Sequence, residues 1–345
     1  MGPSLIGVST QEVRVVEGYY TCPSAFTVAI SALSVPYSAV VGGHNVSITL
    51  PTVAGVPRDN QELVEPAWHY SEHDMSLSRL PEMAPFWGRV VVFGPGGQTP
   101  KAVSVNRFRI AFDAVGDDEQ VRGLSRAIAE AMPVWWKQVS TWIEVLYGQD
   151  LSRLGPIEPG ISFNATTLWT RLHTLHGRPI HGGGHVLPVG SAGFNVVMPN
   201  YRPITGDALK RCIRHAVDND RLADEWLVVR DAKSLWAGRD YRRAVLDAGL
   251  AAELAVTRLI TDHLTAIGKT AAEIKRVLRA NSMLTPLCRY WLKECGGTLP
   301  ADYAVRLIRR RNAATHAGQI FAESEVAEAI DVAASIVAQA APLPR

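Results

Sequence analysis

The period of the apolar pattern changes once along the chain, and that change limits what the chain can fold into. Up to about residue 114 apolar and polar residues alternate in short runs, as in Val13-Arg14-Val15 and again in Phe108-Arg109-Ile110-Ala111-Phe112. A period of two belongs to strands with one face on a core and the other in water. Beyond Pro199 and Pro203 the apolar residues recur at helical spacing over long stretches. The expected fold is therefore α+β and multidomain: a β-rich α/β domain over residues 1–203, then an all-α helical bundle over residues 204–345.

A length of 345 residues suits two domains, and 47% hydrophobic residues supply real cores. The formal net charge is only +2, so no global field favours nucleic acid and any such contact must rest on a local patch. Cys22, Cys212, Cys288 and Cys295 form no CxxC pair, the usage of a reducing compartment. Met1 to Thr10 has neither a basic nor an apolar targeting region, and no apolar run approaches membrane-spanning length. A cytoplasmic protein with no membrane segment is expected.

In the first half, strands are predicted at Glu12–Val16, Phe26–Val35, Val46–Leu50 and Val90–Phe93, with Ser71–Pro85 a loop. Gly94-Pro95-Gly96-Gly97 reads as a hairpin turn rather than a phosphate loop, because β-like sequence follows it and no helix with Lys and Ser or Thr behind the last Gly. Helices are predicted at Asp118–Met132 and Val134–Tyr147, separated by Pro133. Trp135, Val139, Trp142 and Leu146 make a stripe at helical spacing, which is a core face rather than a stacking platform.

His173, His176, His181 and His185 invite a zinc reading. No Cys, Asp or Glu lies among them, and Gly182-Gly183-Gly184 marks a flexible loop, so no metal is assigned and these four are the candidates one would use. His69 and His73, with Glu72 and Asp74 beside them, read as solvated loop residues. The run His181-Gly-Gly-Gly matches an esterase oxyanion loop, yet no GxSxG elbow exists anywhere in the chain.

In the second half helices are predicted at Asp207–Val217, Leu222–Trp236, Tyr241–Ile267, Ala271–Ala280, Leu284–Cys295, Tyr303–His316 and Ser324–Ala340, with Gly268, Gly296 and Gly318 at stop positions. The helix from Tyr241 is apolar almost all round, as a central or shared helix is. Glu253 lies within it, and a buried carboxylate needs a cation, for which an arginine of the Tyr303–His316 helix is the candidate.

That later helix carries Arg311-Asn312-Ala-Ala-Thr-His316. Together with the Ala-rich helix through Asp247–Glu253 and the Ala-rich closing helix, this R-N-x-x-x-H hexapeptide resembles the HEPN domain, a helical nucleotide-binding domain, over residues 205–342. The resemblance implies a metal-independent endoribonuclease with no cofactor, acting on an RNA substrate as a homodimer in which two motifs face each other. Arg311, Asn312 and His316 are then the catalytic residues and Glu253 a supporting one. It also implies a toxin or antiviral defence setting, with the domain of residues 1–203 sensing a ligand or trigger of unknown kind.

The spacing by itself discriminates little. With 35 Lys+Arg and 10 His in 345 residues, a basic residue five before a His is expected about once by chance. Arg171 to His176 and Arg258 to His263 share it, but each has Leu after the Arg. Five steps of about 100° set Arg311 and His316 about 140° apart on a helix, which calls for a second copy to complete a site. Arg311 shares a face with Ala304, Leu307, Ala314 and Thr315 and is expected half-buried, whereas Arg309 and Arg310 face solvent or RNA phosphate. Two other readings remain: a non-catalytic RNA- or nucleotide-binding dimerisation bundle, and a metal-dependent activity at the N-terminal histidine cluster.

Overall fold

Strand β5 (Pro100–Val115) is the spine of the first part of the structure. It pairs antiparallel with β1 (Val13–Ala29), β3 (His44–Thr49) and β4 (Gly88–Phe93), and β3 carries β2 (Pro36–Val41) at the edge. A computed structural model describes residues 13–53, 62–68, 87–94, 99–157, 160–163, 167–173, 179–188, 194–197, 202–218, 222–316 and 319–344, with backbone alone between 160 and 197. The chain forms two compact units, the first drawn from residues 1–152, 201–230 and 341–345, the second from 153–200 and 231–340.

In the first unit the alternation becomes the two faces of the sheet. Tyr19, Arg109 and Thr49 are cross-strand neighbours, as are Glu17, Ala111 and Ser47, so these share one face. Phe108, Phe112, Val46 and Ile48 point the other way and are buried. Helix α1 (Asp118–Tyr147) covers that face: Trp136 meets Phe26 and Phe108 at ring-centroid distances of 5.0 and 5.5 Å. Trp135, Trp136 and Trp142 are all buried, so the tryptophan stripe is core.

Two expectations change here. The pieces predicted at Glu12–Val16 and Phe26–Val35 belong in part to one 17-residue strand, β1, whose register slips between Thr21 and Phe26. The two helices predicted on either side of Pro133 are one helix of 30 residues. Proline removes one helical hydrogen bond, but Pro133 and Ala129, the residue whose carbonyl loses its donor, are both exposed to water. The buried line Ile128, Met132, Trp135, Trp136 and Val139 runs across the site without a break, and its burial outweighs the lost bond. Gly42 and Gly43, at φ 58° and 85°, close the two-residue turn between β2 and β3, where both positions need a left-handed backbone.

The division between units does not fall at the change of period near residue 204. Ile204 accepts from Ala29 N at 2.9 Å and donates its own N–H to Thr27 O at 3.1 Å, along β1. The Gln149 amide ties Thr27 and Arg202 together. Helix α2 (Gly206–Val217) buries Leu209, Cys212, Ile213 and Ala216 and packs on α1 and β2, and the units part only within α3 (Asp224–Ala237). Period reports helix, whereas unit membership follows whichever surface covers the helix's apolar face.

In the second unit β6 (Gly160–Phe163) pairs with β9 (Phe194–Val197) and β7 (Thr167–His173) with β8 (Pro179–Pro188), all antiparallel. The Gly182–Gly184 run, expected in a flexible loop, lies inside β8 with Gly184 opposite Arg171. A paired neighbour fixes a backbone that composition alone leaves loose. The helical part is α4 (Tyr241–Ala266), α5 (Ala271–Ala280), α6 (Leu284–Lys293), α7 (Arg310–His316) and α8 (Glu323–Ala340), with α4 packed against each of the other four. Ala244, Ala248, Ala251, Ala252 and Ala255 of α4 and Ala329 and Ala333 of α8 are buried, and side chains this small let the helices approach closely. Leu250 and Leu254 leave an exposed apolar strip on α4. Among the described residues no helix is long and apolar enough to cross a membrane.

Candidate functional site

Three residues on one face of α4, Arg242, Gly249 and Glu253, decide how α7 lies against it; their spacings of seven and four are close to whole helical turns. Arg242 Nε donates to the Ala314 carbonyl at 2.9 Å, satisfying one of the last carbonyls of α7. Gly249 is where the stem of Arg311 crosses: a Cβ there would stand 2.5 Å from Arg311 Cγ. Glu253 Oε2 then lies 3.9 Å from Arg311 Nη2, the two side chains being 26% and 24% exposed. Arg311 is thus laid along α4 over a glycine seat, facing a carboxylate, with part of its guanidinium in solvent.

The helix leading into the motif is not the uninterrupted α-helix predicted from Tyr303. Ala304–Arg309 is a π stretch, and α7 begins after it. The wider π turn delays rotation, which separates residues the α period would align. Leu307 and Ala314 are buried on either side of half-buried Arg311, as expected, but Ala304 and Thr315 are exposed.

Asn312 and His316 are exposed and four residues apart, and Arg309, also exposed, precedes Asn312 by three, so the three line one solvent-facing stripe. Arg311 Nη1 donates to Asn312 Oδ1 across a long 3.5 Å. Among the described residues no hydrogen bond or ion pair joins His316 to Arg311. One chain therefore gathers Arg311, Asn312 and Glu253, while His316 stands apart on α7.

Arg309 and Arg310, both expected to meet phosphate, differ. Arg310 donates Nη1 to the Glu325 carbonyl at 2.6 Å and Nη2 to Glu328 Oε2 at 2.8 Å, and this bond holds the Glu328 carboxyl below the usual carboxylate range. Its side chain is 15% exposed, so the phosphate role expected of it is taken by a tie between α7 and α8. The reason is local: Glu328 on α8 lies within reach of position 310 and a charge-assisted bond outcompetes water. Arg309 remains at the surface.

Burial and the nearby Glu253 charge push the Cys288 thiol up to about 12, and burial does the same to Cys212. Thiols so raised are not nucleophiles near neutral pH. Of the metal candidates, His176 and the side chains of His173, His181 and His185 lie outside the described residues, as do His69, His73, Gly318 and the turn residues 95–98. Among the described residues no group of three or more His, Cys, Asp or Glu is placed to hold a metal ion.

The sequence pointed to Arg311, Asn312, His316 and Glu253, but not to the stripe that Asn312 and His316 share with Arg309, nor to Arg242 and Gly249. Their common face on α4 with Glu253 was a readable signal. No family model, curated protein or solved structure matches this chain. A held, partly exposed guanidinium can neutralise a phosphate, an exposed imidazole can carry a proton, and the amide of Asn312 can orient either.

Proposed function

We propose that the chain is a metal-independent endoribonuclease of the HEPN type, working as a homodimer in the cytoplasm. Arg311 carries the reading. A guanidinium whose stem rests on a glycine and whose side chain is 24% exposed is positioned before substrate arrives, which is what charge stabilisation in a transition state requires.

In the proposed reaction His316 takes the proton of a ribose 2′-hydroxyl, and the 2′-oxygen attacks the adjacent phosphorus. The P–O5′ bond breaks, and the 5′-oxygen leaves with a proton from His316 of the partner subunit. The products are a 2′,3′-cyclic phosphate and a 5′-hydroxyl. Arg311 offsets the charge growing on the non-bridging oxygens, Asn312 orients the phosphate, and Arg309 contacts a neighbouring one. The 140° separation of Arg311 and His316 on an ideal helix supports the need for two copies.

The test is cleavage of RNA by the purified chain in EDTA. Wild type is expected to leave cyclic-phosphate ends, with His316→Ala and Arg311→Ala each slower by about 100-fold or more. Equal cleavage by all three proteins, or loss of cleavage in EDTA, would sink the assignment.

The pairing of Arg311 with Glu253 also supports a second reading, in which Arg311 serves packing and the bundle binds RNA without cutting it. That reading predicts RNA association unchanged by His316→Ala and no cleavage by any variant.

A further inference from the structure

We propose that the polar face of the β1–β5–β3–β2 sheet is a binding site for a neutral polyol, recognised through the vicinal diol of a sugar. The site lies wholly within the first unit and owes nothing to the motif on α7. Its centre is Arg109, only 9% exposed. One arm of its guanidinium faces Glu17, Nη2 to Oε1 at 3.3 Å, with the two side chains 11% and 2% exposed, and another donates to the Ala67 carbonyl. Its Nε is buried without an acceptor. A stranded charged donor is expensive, and a fold that keeps one beside an open cleft has left a place for an acceptor to arrive.

That cleft has a volume of about 440 Å³, and Arg109 lines it with Ser38, Asn45, Ser47 and Asp113. Register places these groups. Glu17 is opposite Ala111 on β5, and Ser47 is opposite Ala111 from β3. An arginine rooted at 109 and paired with Glu17 therefore carries its guanidinium along β5 toward Ala111. Asp113 is two residues further on, about 7 Å along the strand, a distance that one sugar ring bridges.

Charge then selects among ligands. The charges lining the cleft, Arg109 and Asp113, cancel, and Arg109 is already paired with Glu17, so an anion finds no net attraction. A cation would leave the Arg109 Nε unsatisfied. A neutral diol suits both ends: one hydroxyl oxygen accepts from Nε, and the neighbouring hydroxyl donates to the Asp113 carboxylate. The two serines and the Asn45 amide complete the hydroxyl contacts, since each can donate and accept.

The experiment is ligand-observed NMR and calorimetry on the full chain with methyl β-D-ribofuranoside, its 2-deoxy counterpart and inorganic phosphate. The riboside is expected to bind saturably and the 2-deoxy compound more weakly. Asp113→Ala should weaken the riboside about tenfold, the worth of one charged hydrogen bond. Arg109→Lys keeps a cation beside Glu17 while removing the Nε donor, and should weaken binding similarly. If Arg109→Lys fails to fold, the exposed Asp113→Ala still decides. The proposal is overturned by absence of saturable riboside binding, by an affinity that Asp113→Ala leaves unchanged, or by phosphate binding in preference to the riboside.

Discussion

Each unit holds an arginine–glutamate pair, and the two pairs are built for different ends. Arg109 and Glu17 are 3.3 Å apart with side chains 11% and 2% exposed; Arg311 and Glu253 are 3.9 Å apart with side chains 24% and 26% exposed. The first pair is the tighter and the more buried, with Arg109 at the edge of the cleft on its sheet. The second is looser and wetter, and its arginine takes its position from Gly249 at least as much as from Glu253. A guanidinium held by shape rather than by a tight ion pair can turn to a phosphate without first breaking a strong bond.

The sharpest way to break this comparison is to remove each cation in turn. Arg109→Met removes the cation beside a buried carboxylate and should destabilise its unit by about 3–5 kcal/mol, whereas Arg311→Met should change stability by about 1 kcal/mol or less. Urea midpoints followed by tryptophan fluorescence and by circular dichroism measure both. Equal losses would mean that Arg311 is a structural residue like Arg109.

Gly249→Ala comes next. The new methyl would meet the Arg311 stem, and overpacking of this kind is worth about 1–3 kcal/mol unless the arginine moves away. Either outcome shifts the guanidinium, so RNA cleavage should fall well beyond what the fraction unfolded explains. Cleavage at the wild-type rate by a folded Gly249→Ala protein would show that Arg311 needs no seat.

What could be read from the sequence tracks how local each cause is. The end of α4 was legible because its signal is a single residue, Gly268, which takes φ 80°; the capping box of Thr270 and Glu273 that opens α5 is equally local but went unread. Pro133 was read as a break because the local rule is strong; the tryptophan face that carries α1 through it is a property of the whole unit. The π stretch before α7 left no mark in the spacing, so Ala304 was placed on the wrong face. Arg310 looked like Arg309 in the sequence, since nothing nearby reveals that Glu328 waits on another helix. The change of period near residue 204 marked where the helical half begins but not where the units divide, because packing partners are not encoded in period.

A third pair, Glu144 and Arg230 at 3.8 Å, sharpens the contrast through pH. Burial raises the Glu144 carboxyl above its ordinary range, against the lowering effect of hydrogen bonds from Ser152 and Leu151 and of the Arg230 charge. A carboxyl raised by folding binds its proton more tightly in the native state. Its contribution to stability is therefore full below the unfolded value of about 4.3 and is lost as pH rises through the folded value. The urea midpoint of the first unit should carry a falling component across that window, and Glu144→Gln should remove it. A midpoint profile identical in wild type and Glu144→Gln would show that burial does not govern this carboxyl.

The smallest effect on stability belongs to Arg309, and it separates the two arginines that the sequence could not. Arg309→Ala removes an exposed side chain and should leave stability within about 0.5 kcal/mol. Arg310→Ala removes the bonds to Glu325 and Glu328 and should be the more destabilising of the two. RNA binding should rank them the other way. Loss of one phosphate contact lowers the dependence of log affinity on log salt by about one, and Arg309→Ala should show that change while Arg310→Ala does not. If both variants bind with the wild-type salt slope, the stripe of Arg309, Asn312 and His316 does not meet a phosphate backbone, and the ribonuclease reading loses its substrate-facing surface even with Arg311 in place.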